Sequence, residues 1–486
     1  MYHEHPLRIL RYSVKNIWLL IFPLIRGINA FRLDRERLYN WIIGAWMDII
    51  VIGLIILFGL VRWYYSRIDV TSSGIIHNNG IIIKLRTLIS YSSISSVTVE
   101  QPFYLVPFNA IRIRCDTSAG NYKAADMKLM VSRRIYREII KNVPEISEKN
   151  KIKEIPEPNA MSIFLFALFF SSGLSGTLYI SAIFFKGGEL ARDIITTSFN
   201  RITKETIKIS DRLLLSIPDA AVTLGVFFII MRTLSIVVNL FKYSRFFINC
   251  DEKCLKISYG ILNRREYRIT ASHINYTDLR QNLIMKLLGA AAVNISCAGY
   301  GTRRNNNMPV LLPVKKEKDI SSELEKIGVF TGIKNDFRTK LNGIWQYTWQ
   351  PIIISTALFP LFILISRYYP DFYDFLLFIT IMLEIGAIWH IPVKLAAFFT
   401  SGISVYDDKI MLRYCKWTAF HCVIAERKKI VKIQLEQTFF QKIRKRCNVT
   451  IWFEGEHNTK HKIKAMDINE MLKFTALLDY DISKLL

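Results

Sequence analysis

His457 and His461 are four residues apart, a spacing at which two imidazoles can share a metal ion when both lie on one helix face. They fall in FEGEHNTKHKIK, however, whose pattern predicts a strand, a turn and a second strand, and the sequence contains no HExxH motif. No P-loop, paired-carboxylate motif or Ser/His/Asp arrangement stands out either. The sequence therefore predicts no metal site, no cofactor and no enzymatic activity.

Ionisable residues inside apolar runs are a second source of chemistry, because a charge is costly within a membrane and such residues often serve ion or substrate pathways. The four residues of this kind are Asp48, Arg232, Glu384 and His390. Glu384 and His390 are six residues apart, about 240° around a helix, so they do not share a face. Asp48 and Arg232 could pair between two spans, and the alternative is a position near the headgroups or in a water-filled seam.

Basic residues supply a third chemistry, the attraction of anionic headgroups. They recur on early strands of three parts of the chain, with a denser run at QKIRKR. We interpret them as solvated strand faces near anionic lipid; the alternative is a selective headgroup pocket, which requires charges that converge. The candidate contacts are Lys84, Arg86, Arg264, Arg265, Arg268, Arg413, Lys416, Lys442, Arg444, Lys445 and Arg446.

Apolar runs long enough to cross a bilayer separate these basic segments, since roughly 20 helical residues span about 30 Å of hydrocarbon. The runs are residues 41–61, 161–185, 220–241, 349–366 and 372–399. A sixth segment, 17–25, contains Pro23 and is too short to span unaided, so it is either a short or re-entrant span or a helix at the interface. The sequence predicts an integral membrane protein.

Charge and cysteine usage indicate which side of the membrane the polar domains face. The net charge is +25, and no recognition motif supports nucleic-acid binding, which leaves the anionic membrane surface as the expected partner. The seven cysteines are odd in number and form no CxxC pair, as is typical of a reducing compartment. We expect a multi-pass protein of the cell membrane whose polar domains are cytoplasmic.

Three glutamines mark an internal repeat. The segments are ISSVTVEQ ending at Gln101, INYTDLRQ ending at Gln281 and IVKIQLEQ ending at Gln437, each with a two-residue period that predicts a half-buried strand. Another alternating strand follows each glutamine, and then a helical segment; in the third copy Asp467 is a candidate N-cap. A pair of apolar segments precedes each copy, so a unit of membrane hairpin plus small domain occurs three times.

One of these copies carries the features of a known family. The run from Tyr243 to Gly301 resembles the bacterial pleckstrin-homology (PH) domain of YdbT-type membrane proteins. The features are Gly260-Ile261-Leu262, Arg264-Arg265, Ile274, Gln281, Leu287-Leu288-Gly289 and Ala298-Gly299. The first copy lacks the double arginine and the Leu-Leu-Gly step, and the third has Ile443-Arg444-Lys445 in place of the latter.

The resemblance implies a membrane protein of the α+β class with three repeats of a transmembrane helical hairpin followed by a PH-like β-barrel or sandwich capped by a C-terminal helix. Expected bounds are 1–64 for the first membrane segments, 65–145 for PH-like domain 1, 161–241 for a hairpin, 243–330 for domain 2, 345–399 for a hairpin and 401–486 for domain 3. Under that fold each glutamine satisfies backbone groups at a strand exit; the alternative is a ligand-binding role.

The same resemblance implies a non-enzymatic role as an assembly platform at the membrane surface, suited to envelope integrity or resistance to membrane-active agents. A smaller membrane protein with a single PH-like domain is the implied partner. The alternative is a transporter or lipid-handling protein that uses the intramembrane charges.

Overall fold

The computed structural model describes residues 2–14, 46–81, 83–117, 125–143, 153–154, 158–170, 188–212, 219–251, 254–300, 310–326, 335–455 and 460–478. The short apolar segment 17–25, part of the expected spans 41–61 and 161–185, and His457 lie outside these residues. The chain forms two compact units. Unit 1 comprises Met1–Glu154, Ile248–His273 and Cys297–Asn306, and unit 2 comprises Ile155–Phe247, Ile274–Ser296 and Asn307–Leu486.

The described helices are named here in chain order. They are α1 Arg8–Val14, α2 Trp46–Tyr64, α3 Arg133–Asn142, α4 Ala160–Phe170, α5 Gly188–Arg212, α6 Asp219–Tyr243, α7 Leu283–Leu287, α8 Glu317–Lys326, α9 Ile344–Tyr368, α10 Tyr373–Thr400, α11 Phe439–Ile443 and α12 Ile468–Leu477.

Helices long and apolar enough to cross a membrane occur where the sequence predicts spans. Among the described residues these segments are Val222–Tyr243, Leu341–Tyr368 and Pro370–Thr400, which correspond to the expected runs 220–241, 349–366 and 372–399. Helices α2 and α4 contain shorter apolar stretches, Ile52–Tyr64 and Ala160–Phe170. Most side chains of the three long segments are not covered by protein, as expected when lipid is the solvent. The chain is a membrane protein.

Helix α5 is a feature that the sequence patterns do not predict. Its 25 residues lie between two predicted spans and mix charged and apolar side chains. Phe199 on α5 packs edge to face against Phe227 on α6, and Thr203 and Thr206 donate to carbonyls one turn back. The helix was missed because it is neither an uninterrupted apolar run nor part of the repeat.

The strands are also named in chain order. They are β1 Tyr2–His3, β2 Arg67–Val70, β3 Gly74–Asn79, β4 Leu85–Ser90, β5 Ile94–Pro102, β6 Ala110–Thr117, β7 Met127–Ser132, β8 Lys153–Glu154, β9 Phe247–Cys250, β10 Cys254–Tyr259, β11 Asn263–Thr270, β12 Tyr276–Gln281, β13 Ala290–Ser296, β14 Val310–Lys316, β15 Phe337–Arg338, β16 Gly402–Tyr406, β17 Lys409–Lys416, β18 Ala419–Glu426, β19 Ile430–Glu436, β20 Arg446–Phe453 and β21 Lys460–Asp467.

Unit 1 contains a sheet of order β1-β2-β3-β4 and a sheet of order β7-β6-β5-β11-β10-β9-β8. Their apolar faces share a core that includes Ile75, Ile89 and Val97, and helix α3 adds Ile135 and Ile139 to it. Strand β6 buries every second residue from Ile111 to Cys115, because alternate side chains of a strand point to opposite faces. The alternation seen in the sequence thus identifies the buried face.

Unit 2 contains a seven-stranded sheet of order β14-β13-β12-β18-β17-β16-β15, with the same sequence of connections as the seven-stranded sheet of unit 1, and a three-stranded sheet of order β19-β20-β21. Ile410, Val449 and Phe474 belong to one core in this unit. Helix α12 begins after Asp467, whose carboxylate accepts a hydrogen bond from the Asn469 N–H at 3.0 Å. The expected N-cap is therefore confirmed.

Two strand pairs join consecutive repeats in the same register. In unit 1, β11 pairs antiparallel with β5 and places Arg264 opposite Gln101. In unit 2, β18 pairs antiparallel with β12 and places Phe420 opposite Gln281. Arg264 and Phe420 are equivalent, because each lies ten residues before the isoleucine of the next repeat segment. The two units divide the expected second domain, 243–330: β10 and β11 belong to unit 1, and β12 to β14 belong to unit 2. The expected domain bounds 65–145, 243–330 and 401–486 therefore stay a prediction.

Candidate functional site

The repeated glutamines hold the ends of two neighbouring strands together. Gln281 Nε2 donates to the Ala290 carbonyl at 2.8 Å, and Gln437 Nε2 donates to the Arg446 carbonyl at 2.7 Å. Each bond closes the connection that contains a five-residue helix, α7 or α11, so the strand before the helix and the strand after it are tied at their ends. This is the contact that a turn-holding role requires.

The first copy makes the corresponding connection differently. Gln101 lies near the end of β5, opposite Arg264, and a 3-10 turn from Phe103 to Leu105 follows in place of an α-helix. Asn109, the residue before β6, has a φ of 53°, and the equivalent Gly289 and Lys445 have φ values of 61° and 50°. Asparagine tolerates this left-handed conformation better than most side chains, and glycine adopts it without a Cβ clash.

A cavity of about 500 Å³ in unit 2 brings basic side chains together at the end of membrane helix α10. Phe399 and Thr400 supply the helix end, and β12, β17 and β18 supply part of the wall. Four cationic residues and one carboxylate line it, so positive charge dominates. Those residues are Lys286, Lys318, Arg338, Arg413 and Glu317.

The geometry of two of these cations suits an anion held partly out of water. Lys286 Nζ lies 4.5 Å from the centre of the Phe420 ring, a cation–π contact that fixes its stem. Burial lowers the pKa of Lys286, and the nearby Arg413 guanidinium lowers it further, although Glu317 acts in the opposite direction. Arg413 Nη1 donates to the Asn335 Oδ1 at 3.0 Å.

Of the basic residues expected to contact a membrane surface, only Arg413 lines this cavity. Arg413 and Lys416 lie on β17, whereas the strand that corresponds to β4 and β11 is the next one, β18. The basic residues of the third copy are therefore not on the same strand as those of the first two. The exposed members of the set are Lys84, Arg86, Arg264, Lys416, Lys442, Arg444 and Lys445.

Three other members of that set are committed to protein contacts. Arg446 is buried and donates from Nη1 to the Ala465 carbonyl at 2.8 Å. Arg268 is buried and lies 2.7 Å from the Glu266 carboxylate, and Arg265 faces Glu100 at 3.6 Å. Arg268 and Arg446 thus have a carboxylate and a carbonyl of the protein interior as partners, and their expected contact with headgroups stays a prediction.

The intramembrane ionisable residues make local contacts. Glu384 on α10 accepts a hydrogen bond from Ser355 on α9, and His390 Nδ1 lies 2.9 Å from the Gly386 carbonyl of its own helix. Arg232 on α6 donates to the Leu168 carbonyl on α4 at 2.6 Å. The Asp48 side chain is not among the described atoms, so its pairing with Arg232 stays a prediction. The Glu384 and Arg232 contacts are hydrogen bonds between helices, and the His390 contact lies within one helix.

His461 has a packing role in unit 2. Its Nδ1 lies 2.8 Å from the Tyr414 hydroxyl, and its ring packs against Tyr276 and Phe453. Burial lowers the pKa of His461 to about 4, so the ring is neutral at physiological pH. Within the described residues, no cluster of three His, Cys, Asp or Glu side chains has the geometry to hold a metal ion.

Sequence reasoning missed most of the cavity. Lys286, Lys318 and Arg338 lie on different elements, and they converge only because β12 pairs with β18 beside the end of α10. One signal was available: Lys286 directly precedes the Leu287-Leu288-Gly289 step on which the family resemblance rests.

Comparison with known proteins agrees with this architecture. Residues 20–143 and 212–326 match the family model described as Bacterial PH domain. The chain is also 26% identical over 211 residues to UPF0699 transmembrane protein YdbT of Bacillus subtilis (strain 168), which covers 43% of this chain and 41% of that protein. The chain thus spans about two fifths of the length of the curated relative that it matches.

The class is therefore a membrane protein with two segments that match the bacterial PH domain model. Within that class, the resemblance to YdbT-type proteins that the second repeat suggests is confirmed by the match to YdbT. Residues 401–486, which carry the third glutamine segment and the cavity residue Arg413, lie outside the two matched segments.

Proposed function

We propose that this protein is a non-enzymatic assembly platform at the cytoplasmic surface of the cell membrane, where its PH-like domains hold other proteins. A smaller membrane protein with a single PH-like domain is the partner that we expect, and envelope integrity or resistance to membrane-active agents is the physiological role that such a platform would serve.

The observation that carries this proposal is the pair of strand junctions with one register. β5 pairs with β11 and β12 pairs with β18 along their sheet edges, which supports a role for edge pairing in recognition. Edge pairing is a general mode of protein recognition, because backbone bonds supply affinity while alternate side chains supply selectivity. A chain that pairs sheet edges in two places is suited to holding other proteins by the same kind of contact.

A lipid-handling function is the second candidate, and the basic cavity favours it. The cavity lies at the end of α10, where a phospholipid headgroup would be within reach, and its cations have the sign that a phosphate requires. The platform proposal accommodates the same cavity as an anchor that holds one anionic lipid in place. The two candidates differ in whether lipid is exchanged.

Cross-linking in intact membranes, followed by mass spectrometry, tests the platform. Lysine-reactive reagents should join exposed Lys84 and Lys442 to defined membrane proteins at a constant ratio to the chain. The purified protein in liposomes should neither conduct ions nor speed the transfer of labelled phospholipid between vesicles. Cross-links confined to the chain itself, together with lipid transfer that depends on Lys286, would replace the platform by lipid handling.

A further inference from the structure

The two outermost repeat strands lack the partner that their equivalents have. Within the described part of the chain, β4 pairs with β3 alone and β19 pairs with β20 alone. β4 is the equivalent of β11 and β18, because each precedes a 3-10 turn and the repeat isoleucine. β19 is likewise the equivalent of β5 and β12. Among the described strands, β4 and β19 therefore each have one edge without a paired strand.

Side-chain exposure shows what the missing pairings would cover. Leu88 on β4 is 62% exposed, whereas its equivalents Arg268 and Ile424 are 8% and 4% exposed. Val431 on β19 is 67% exposed, whereas its equivalent Ser95 is fully buried. An exposed apolar edge strand is a template for pairing with another chain.

We propose that β4 of one molecule pairs antiparallel with β19 of a second copy of this chain, which deepens the platform function and rests on it. The second copy is the occupant because the same chain carries both complementary edges, and each edge repeats a junction already made within it. If β4 pairs with β19 in the register that joins β11 to β5 and β18 to β12, Thr87 lies opposite Gln434 and Leu88 lies opposite Ile433. Ile433 packs at the margin of a hydrophobic core, so Leu88 would extend that apolar surface.

This contact is head to tail, because two different strands meet. A heterologous contact leaves one β4 and one β19 edge open in every dimer, so it generates a ring when the rotation closes and a longer array when it does not. A symmetric pairing of β19 with β19, or of β4 with β4, would stop at two copies.

Cysteine pairs test the register directly. Full-length chains carrying Thr87→Cys with one affinity tag and Gln434→Cys with another are mixed in nanodiscs large enough for several copies, and copper phenanthroline oxidises opposed thiols. We expect a disulfide between the peptide that carries Thr87→Cys and the peptide that carries Gln434→Cys in the mixture, and in neither variant alone. The matched control replaces Gln434→Cys by Val431→Cys, three positions out of register, and should give at least fivefold less cross-linked product.

Several outcomes would overturn the proposal. A disulfide in either single-variant sample indicates symmetric pairing, and equal yields for the two partners indicate random collision. A disulfide that forms only within a monomer carrying both substitutions would assign the edge to the same chain. Absence of any cross-link at protein densities comparable to the native membrane would also contradict it.

Association by mass photometry provides an independent readout. Leu88→Glu should weaken self-association at least tenfold, because it places a charge opposite Ile433, whereas Leu477→Glu, an equally exposed leucine on α12, should leave it unchanged. Unchanged association of Leu88→Glu overturns the inference. If self-association is absent while cross-links to other membrane proteins persist, the platform stands and this inference falls; if both are absent, both fall.

Discussion

Gln281 and Gln437 each donate a hydrogen bond from the side-chain amide to a backbone carbonyl at the start of the next strand. At the end of β12 and at the end of β19 the chain leaves the sheet, and the carbonyl that begins the next strand needs a donor. The glutamine supplies it from nine positions earlier in the sequence. A buried carbonyl without a donor costs free energy, so this hydrogen bond stabilises the connection between the two strands.

Gln281→Leu should lower stability by about 1–3 kcal/mol, because the Ala290 carbonyl loses its donor in a buried position. Gln281→Glu should be at least as damaging, since an ionised carboxylate cannot donate and would face that carbonyl. The melting temperature of the full-length protein in detergent measures both effects. Unchanged melting with lost lipid retention would assign Gln281 to the cavity that it also lines.

At the scale of elements, sequence periodicity locates strands and spans but does not identify their partners. The two-residue alternation marks the buried face of β6, and long, mainly apolar runs mark α6, α9 and α10. The pairing of β11 with β5 and of β18 with β12 was not predicted, because the alternation of apolar residues identifies the buried face of a strand but not the neighbouring strand to which it hydrogen-bonds. Helix α5 was missed because its apolar residues form no continuous run.

The same limit applies to the basic residues. Arg264 and Arg268 both lie on β11, yet Arg264 is exposed and Arg268 is buried beside Glu266. The two arginines and Glu266 are separated by even numbers of residues and share one face of the strand, so exposure differs along β11 and not between its faces. Arg446 is also buried, where it begins β20 and donates to the Ala465 carbonyl.

The cavity at the end of α10 gives a prediction at this scale. Lys286→Gln combined with Arg413→Gln should reduce the retained anionic phospholipid by roughly tenfold or more, since a charge-assisted hydrogen bond contributes about 1.5–3 kcal/mol. Native mass spectrometry of protein purified from membranes in neutral detergent counts the bound lipid. The effect should persist at high salt, because partly buried charges are screened less than exposed ones.

The matched control for this measurement is Lys442→Gln with Arg444→Gln, which removes two exposed cations near α11. This pair should weaken the salt-sensitive attraction to anionic vesicles and leave the retained lipid unchanged. Equal lipid loss in the two double variants would show that the cavity has no special role.

For the molecule as a whole, the proposed platform rests on the expected repeat of a membrane hairpin followed by a small domain. A hairpin returns the chain to the side of the membrane from which it started, so domains that follow hairpins are expected on one face. The natural thiols are poor reporters of this arrangement, because Cys115, Cys297 and Cys447 are buried and burial raises the pKa of Cys115 and Cys447 to about 12. Engineered cysteines at exposed positions avoid that problem.

Accessibility of engineered cysteines to a membrane-impermeant maleimide therefore tests the central claim most directly. Lys84→Cys and Arg264→Cys report unit 1, Lys442→Cys reports unit 2, and Lys204→Cys on α5 reports the connection between two predicted spans. We predict labelling of the Lys204→Cys variant in intact cells and labelling of the other three only after the membrane is permeabilised. Labelling of any one of those three variants in intact cells, while the others stay protected, would contradict the single-faced platform.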